Sequence, residues 1–177
     1  MNQDTASEVK STGAKSAAGR SLCDLLQPEQ VVLQMEATDK EAVLAELLSL
    51  LVADQPRMVQ EAALEALVQR EEVGSTGIGD GIAIPHARTP AIQQIRIAAG
   101  VSQEGLDFQS LDGKPVHLFF LILTPASAAG AHLKLLAQLT RLLRSTASRD
   151  SLRSATTAEG FCHILRLASG QASERGS

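Results

Sequence analysis

Residues 74 to 87 read Gly-Ser-Thr-Gly-Ile-Gly-Asp-Gly-Ile-Ala-Ile-Pro-His-Ala. Glycines stand at alternate positions of this stretch, at Gly77, Gly79 and Gly81, so its backbone can adopt positive φ and its N–H groups can bind an anion. In dinucleotide-binding and P-loop folds the glycines follow a strand and open a helix, whereas here the apolar run 82–84 comes after them. The order of elements therefore excludes both of those phosphate-binding folds.

A single histidine, His86, ends this apolar run directly after a proline. Pro85 has a fixed φ and biases Ile84 toward extended geometry, so the backbone is stiff immediately before the imidazole. A neutral imidazole offers one lone-pair nitrogen as a nucleophile, and the ordinary histidine pKa of about 6.5 keeps the neutral form well populated near neutral pH. Desolvation at the end of an apolar strand favours the neutral form further. These features make His86 a candidate nucleophile that could accept a group without a separate base.

The segments on either side of this stretch predict helices and strands that alternate along the chain. Helical periodicity and capping residues predict helices at 21–26, 38–53, 58–72, 130–144 and 158–167, and apolar runs predict strands at 31–35, 82–86, 95–102 and 116–123. The strand at 116–123 is apolar on both faces, which is typical of a central strand. Strands between pairs of helices predict an α/β fold with a single mixed β-sheet flanked by helices on both faces.

Length and composition predict one domain with two tails. The chain has 177 residues and 44% hydrophobic content, enough to bury one core and too few residues for two ordinary domains and a linker. Residues 1–20 carry almost no large apolar side chains and are predicted to be a disordered tail. The domain is predicted over 21–170 and a flexible tail over 171–177. Cys23 and Cys162 lie in apolar helical stretches, which favours buried, reduced thiols.

Charge and hydropathy exclude two classes of partner. The chain has 16 basic and 20 acidic residues, a net charge of −4, and no Trp or Tyr, so it offers neither a basic footprint nor stacking platforms for nucleic acid. The longest apolar run, 118–123, is far shorter than the roughly 20 residues that span a bilayer, and the amino terminus has no apolar signal sequence. We therefore expect a cytoplasmic protein with no membrane insertion and with no cofactor.

The whole string 74–87 resembles the phosphorylation-site signature of the type 2 enzyme IIA component of the bacterial phosphoenolpyruvate-dependent phosphotransferase system, in its fructose/mannitol/nitrogen-regulatory class. The resemblance extends over roughly residues 22–168. It includes an Arg-Glu segment at 69–72, a hairpin region at 106–116 and a second-histidine motif at 132–136. Ala87 stands where many members have glycine. The Gly-Ser-Thr-Gly-Ile-Gly form of the loop is most like the nitrogen-regulatory IIA branch.

The resemblance implies protein-histidine phosphoryl transfer. A phosphocarrier protein of the HPr kind would phosphorylate His86, and the group would pass to a IIB domain or its presence would be detected by a regulatory protein target. The resemblance also implies that Arg70 contacts the phosphoryl group and that His132 stabilises phosphohistidine. From the residues alone, Arg70 is an exposed cation favoured by a helix carboxyl terminus, and His132 is a capping or packed residue.

A phosphate-binding loop is predicted from Ser75, Thr76, Gly77 and Gly79, although both hydroxyls also suit simple loop formation. A sugar-transport IIA component of the fructose/mannitol type, which donates phosphate to a IIB domain, is the first alternative. The absence of IIB-like and membrane segments favours the regulatory branch over it. A metal-dependent hydrolase using His86, His132 and a carboxylate is a second alternative, but no compact ligand cluster is present and no metal ligand is predicted. A binding module without phosphoryl transfer is the third.

Overall fold

The structure is a computed structural model and describes residues 21–174. The predicted disordered tail, 1–20, and residues 175–177 lie outside the described residues. The helices are α1 Leu22–Leu25, α2 Lys40–Val52, α3 Arg57–Val73, α4 Ala129–Leu142, α5 Thr146–Arg153 and α6 Ala158–Glu174. The strands are β1 Val31–Val32, β2 Gly77–Gly79, β3 Ile82–Ala83, β4 His86–Thr89, β5 Arg96–Leu106 and β6 Val116–Pro125.

The six strands form one mixed sheet. Its order is β1-β5-β6-β3-β2, and β4 also pairs with β6. The β5–β6 and β2–β3 pairs are antiparallel, whereas β1–β5, β3–β6 and β4–β6 are parallel. Strand β6 lies in the middle, and every residue from Leu118 to Thr124 is buried. The prediction of a central strand at 116–123 is confirmed.

Helices cover both faces of the sheet because β6 is apolar on both. Leu118, Phe120 and Ile122 belong to a core shared with α1, α4, α5 and α6. The intervening residues, Phe119 and Leu121 among them, belong to a second core shared with α2 and α3. Period-two alternation along the strand separates these two cores. The predicted fold class, one mixed sheet with helices on both faces, is confirmed.

Strands β3 and β4 are two halves of one line beside β6, interrupted at Ile84 and Pro85. Both halves pair in parallel with β6 and keep the same register. The prediction of one strand over 82–86 is therefore wrong at its end, because His86 begins β4 instead of ending an apolar strand. Pro85 has no N–H to donate, but its carbonyl accepts from the backbone N–H of Ile122 at 2.9 Å. This bond fixes the interruption against the central strand.

Other differences lie away from the sheet centre. Strand β1 is shorter than the predicted 31–35, and α5 was not predicted because it is mostly polar, with Leu152 as its buried residue. Helix α6 continues to Glu174, so the first residues of the predicted carboxyl-terminal tail are helical. Asp39 caps α2, because its carboxylate accepts from the backbone N–H of Ala42. Within residues 21–174, no helix combines the length and the apolar character needed to cross a lipid bilayer.

Candidate functional site

A cleft of about 600 Å³ opens beside β4, between the end of α3 and the start of α4. Helix α3 packs on one face of the sheet and α4 on the other, so the two helices meet only at the sheet edge. The cleft brings together three of the predicted site residues, His86, His132 and Arg70. The full lining is Ala66, Gln69, Arg70, His86, Ala87, Arg88, Ala129, His132, Leu133 and Leu136.

The imidazole of His86 is oriented by the backbone just before it. Its Nδ1 lies 2.7 Å from the carbonyl oxygen of Ile84. A carbonyl oxygen can only accept a hydrogen bond, so Nδ1 carries the ring proton of the neutral imidazole. The structure gives Nε2 no hydrogen-bond partner among the described residues. The lone pair of Nε2 is therefore available in the half-buried ring that lines the cleft.

His132 lies in the first turn of α4, beside His86. The centroids of the two rings are 5.2 Å apart and the ring planes are tilted by 55°. The Nδ1 of His132 lies 2.8 Å from the hydroxyl of Thr124, a buried residue near the end of β6. A threonine hydroxyl can donate to a bare nitrogen or accept from an N–H. The central strand and α4 together hold the second imidazole.

Both histidines are held in the neutral form. Burial is the main cause that lowers the pKa of His86; its hydrogen bond to Ile84 opposes this shift and the charge of Arg70 adds to it. Burial is also the first cause that lowers the pKa of His132 to about 4, and the charges of His86, Arg88 and Arg70 act in the same direction. At neutral pH the cleft therefore contains two uncharged imidazoles.

Arg70 occupies the last turn of α3. Its guanidinium donates to the carbonyl of Gly74 at 3.0 Å, at the carboxyl end of the helix. This is the helix-terminal cation expected from the residues alone. The same half-buried side chain also lines the cleft with the two histidines. The helix-capping interpretation and the site interpretation of Arg70 are thus compatible.

Arg88, which no sequence motif indicated, also lines the cleft. It lies two residues after His86 in β4, and side chains two apart on a strand share a face. The side chain is exposed, lines the cleft, and has no hydrogen bond or ion pair to any residue in 21–174. Its register partner in β6 is Thr124, which contacts His132. The two-residue period of a strand, applied from His86, is the sequence signal that indicates Arg88.

The predicted phosphate-binding loop lies outside the cleft lining. The Ser75 hydroxyl donates to the carbonyl of Phe108 at 2.9 Å. Thr76 is buried, and its hydroxyl donates to the carboxylate of Glu71 at 2.6 Å. Both hydroxyls therefore already have hydrogen-bond partners within the protein, Phe108 and Glu71. Phosphate contacts stay a prediction for all four loop residues, Ser75, Thr76, Gly77 and Gly79.

The cleft contains neutral nitrogen bases and cations. In the part of the chain that the structure describes, its lining includes no carboxylate, and no group of three or more His, Cys, Asp and Glu side chains is arranged to hold a metal ion. Arg70 and Arg88 supply two positive charges in a chain whose net charge is −4. A phosphoryl group, which carries roughly two negative charges, suits this local excess of positive charge.

Comparisons with known proteins identify the family of the chain. The family model for "Phosphoenolpyruvate-dependent sugar phosphotransferase system, EIIA 2" matches residues 24–167. The PTS system fructose-specific EIIABC component of Bacillus subtilis is 37% identical over 144 residues, which are 81% of this chain and 23% of that protein. The Nitrogen regulatory protein of Bradyrhizobium diazoefficiens is 36% identical over 146 residues, 82% of this chain and 95% of that protein. The chain thus spans under a quarter of the first relative's length and nearly all of the second's.

A solved structure shows the same likeness. The crystal structure of the nitrogen regulatory protein IIA-Ntr from Neisseria meningitidis matches with a TM-score of 0.74 at 34% sequence identity, over 81% of this chain and 97% of that chain. This match supports the fold predicted from the alternation of helices and strands, one mixed sheet with helices on both faces. The chain belongs to the EIIA type 2 family of phosphotransferase-system phosphocarriers.

Proposed function

We propose that His86 carries a phosphoryl group on Nε2 and exchanges it with other proteins. One observation carries the proposal: the hydrogen bond from Nδ1 to the carbonyl of Ile84 leaves the Nε2 lone pair free in the cleft. Family membership supports phosphoryl transfer in general, and this bond supports the choice of His86 and of its Nε2.

The proposed donor is the phosphohistidine of an HPr-type phosphocarrier. The Nε2 lone pair of His86 forms the new N–P bond while the P–N bond of the donor breaks, and that electron pair returns to the donor imidazole. No separate base is needed, because Nε2 has no proton to lose. The phosphorylated ring keeps its Nδ1–H and becomes cationic. Its hydrogen bond to the carbonyl of Ile84 strengthens as this charge develops, which favours the transition state.

The cations and His132 stabilise the transferred group. Phosphoryl transfer depends on alignment of the two nitrogens and on positive or hydrogen-bonding groups around the equatorial oxygens. Arg70 and Arg88 line the cleft with His86, one from α3 and one from β4, and His132 lies beside the reacting ring. We assign phosphate contacts to these three side chains.

The regulatory branch is the favoured biological role. In this role a protein target binds the phosphorylated and unphosphorylated forms differently. The loop sequence and the likeness to nitrogen regulatory proteins over nearly their whole length support this choice. The second candidate is a sugar-transport role with transfer to a IIB domain, which the 37% identity to a fructose-specific component supports.

Labelling with phosphoenolpyruvate, the first enzyme of the system and an HPr-type carrier tests the proposal. The wild type should gain one acid-labile, alkali-stable phosphoryl group, assigned to Nε2 by phosphorus NMR, and His86→Ala should gain none. Arg70→Ala should slow transfer roughly 10- to 100-fold, because one charge-assisted hydrogen bond is lost. Arg57→Ala is the matched control, since Arg57 is an exposed α3 arginine paired with Glu61. Full labelling of His86→Ala would contradict the assignment.

A further inference from the structure

We propose that Glu71 is a positioning residue for His86 and acts through hydrogen bonds that run by way of Thr76 and Ile84. The inference rests on the proposed function of His86, because its orientation has a kinetic consequence only if this ring reacts. Glu71 follows Arg70 in the last turn of α3, but it points away from the cleft and does not line it.

The first link joins Glu71 to Thr76, the residue that precedes β2. The carboxylate accepts from the backbone N–H of Thr76, at 3.0 Å to one oxygen and 3.2 Å to the other, and from the Thr76 hydroxyl at 2.6 Å. Glu71 is 8% exposed and Thr76 is 3% exposed. Buried hydrogen bonds to a charged group are strong and directional. Thr76 is therefore held firmly against the end of α3.

The second and third links lead from Thr76 to the reacting ring. The carbonyl of Thr76 accepts from the backbone N–H of Ile84 at 3.0 Å. The carbonyl of that same Ile84 accepts from Nδ1 of His86 at 2.7 Å. Pro85, between them, limits the backbone freedom that could uncouple the two bonds. A displacement of Thr76 therefore moves the carbonyl that selects the nitrogen protonated in His86.

Electrostatics connects Glu71 and His86 independently of these hydrogen bonds. Burial raises the pKa of the Glu71 carboxyl, but hydrogen bonds from Thr76 and Lys40 more than offset it and hold that pKa below its ordinary value. The ammonium of Lys40 lies 2.9 Å from the carboxylate and over the ring of Phe108, with 4.8 Å to the ring centroid. Glu71 is thus ionised, and its charge raises the pKa of His86.

A second glutamate of the chain offers a matched comparison. Glu46 in α2 also accepts backbone hydrogen bonds from a neighbouring loop, from the N–H groups of Glu36 and Ala37. Those bonds lie in the segment after β1 and do not continue to the cleft. Loss of the Glu46 carboxylate therefore reproduces the loss of stability caused by releasing a loop. It does not affect the hydrogen bonds that lead to His86.

The test uses conservative variants of the full chain. Glu71→Gln keeps the side-chain volume but replaces one accepting oxygen with a donor. Thr76→Val replaces the hydroxyl with a methyl group of similar size, whereas Thr76→Ser keeps the hydroxyl and removes the methyl group. Glu46→Gln is the control. Nitrogen NMR of the His86 imidazole determines which ring nitrogen carries the proton and needs no phosphoryl donor. Single-turnover transfer measured against carrier concentration separates the maximal rate from carrier affinity.

We expect Glu71→Gln to lower the fraction of His86 protonated on Nδ1 and to lower the maximal transfer rate about tenfold, with carrier affinity unchanged. Thr76→Val should change both quantities in the same direction, with about a threefold lower rate. Thr76→Ser and Glu46→Gln should match the wild type.

Wild-type protonation and wild-type rate in folded Glu71→Gln and Thr76→Val would overturn the proposal. If Glu71→Gln does not fold, the comparison of Thr76→Val with Thr76→Ser tests the proposal. The same His86 protonation and the same transfer rate in these two proteins would overturn it. Failure of the proposed function has a different signature, because the wild type would then accept no phosphoryl group. The NMR comparison would still show whether Glu71 orients the ring.

Discussion

At the scale of single residues, the protonation of His132 follows from where the chain places it. A histidine in water has a pKa of about 6.5, but burial against Thr124 and nearby positive charges lower this pKa to about 4. The unfolded chain therefore binds a proton more tightly than the folded one. Acid should weaken the fold through this residue.

Stability is predicted to fall as the pH falls from about 6.5 to about 4, the unfolded and folded pKa values of His132. Above that window the contribution of His132 is fully present, and below it the contribution is lost. Burial lowers the pKa of His86 as well, so its contribution has the same sign. Urea unfolding near pH 7 and near pH 5 measures the effect, which should be about 1–2 kcal/mol smaller in His132→Gln. Equal pH dependence in both proteins would contradict the pKa assignment.

Sequence motifs predicted some site residues, and packing determined the others. His86, His132 and Arg70 lie in segments that resemble the family motif, and all three line the cleft. The role of Glu71 could not be predicted, because a glutamate at the end of an amphipathic helix usually lies in solvent. Its burial depends on Lys40, 31 residues earlier in the chain, and no local pattern encodes that contact.

At the scale of elements, the β2–β3 hairpin depends on a close approach of two backbones. A Cβ atom added to Gly77 would lie 2.9 Å from the Cα of Ser110 and 3.1 Å from its Cβ. Neither backbone can move freely, because the carbonyl of Gly77 also accepts from the N–H of Leu111 at 3.0 Å. This position therefore requires glycine for its lack of a side chain.

We expect Gly77→Ala to lower the free energy of unfolding by about 1–3 kcal/mol, since a steric overlap is introduced into a packed site. Gly74→Ala is the matched control from the same loop, because a Cβ there would meet nothing within 4 Å and the φ of 166° is extended. Thermal unfolding monitored by circular dichroism gives the comparison. Similar midpoints for the two variants would show that the hairpin adapts without strain.

Element boundaries show which physical signals the sequence carries. The periodicity of apolar residues predicted α2, α3, α4 and α6 because each buries one apolar face. Helix α5 buries Leu152 and is otherwise mostly polar, so periodicity gives little signal there. The division between β3 and β4 comes from Pro85, whose missing N–H cannot join the sheet. Apolar patterning gives no sign of this division, because the apolar run continues up to Pro85.

At the scale of the whole molecule, the site lies where the two helical layers meet at one sheet edge. Exposed Leu133 and Arg88 lie at this edge, so a partner that reaches His86 also contacts both of them. The proposed phosphorylation of His86 would add roughly two negative charges at this position. It would thereby change the charge of the contact surface and would require no large rearrangement of the fold.

This change in charge predicts a target that distinguishes the two forms. In calorimetric titrations, a regulatory partner should bind phosphorylated and unphosphorylated wild type with different affinities. His86→Ala should bind like the unphosphorylated form under phosphorylating conditions. Transfer to purified IIB domains is measured in parallel. Rapid transfer to a sugar-specific IIB domain, with no partner that distinguishes the forms, would assign the chain to the transport branch.

The Thr124 hydroxyl beside His132 can rotate between two hydrogen-bonding arrangements. With its proton turned away from the ring, the hydroxyl oxygen accepts from Nδ1–H, and the opposite ring nitrogen is bare. With the proton turned toward the ring, it donates to Nδ1, and the opposite nitrogen carries a hydrogen that can bind a phosphoryl oxygen. In the empty cleft the ring is uncharged, since its pKa there is about 4. Rotation of one hydroxyl therefore lets neutral His132 present either a bare nitrogen or an N–H donor to the cleft.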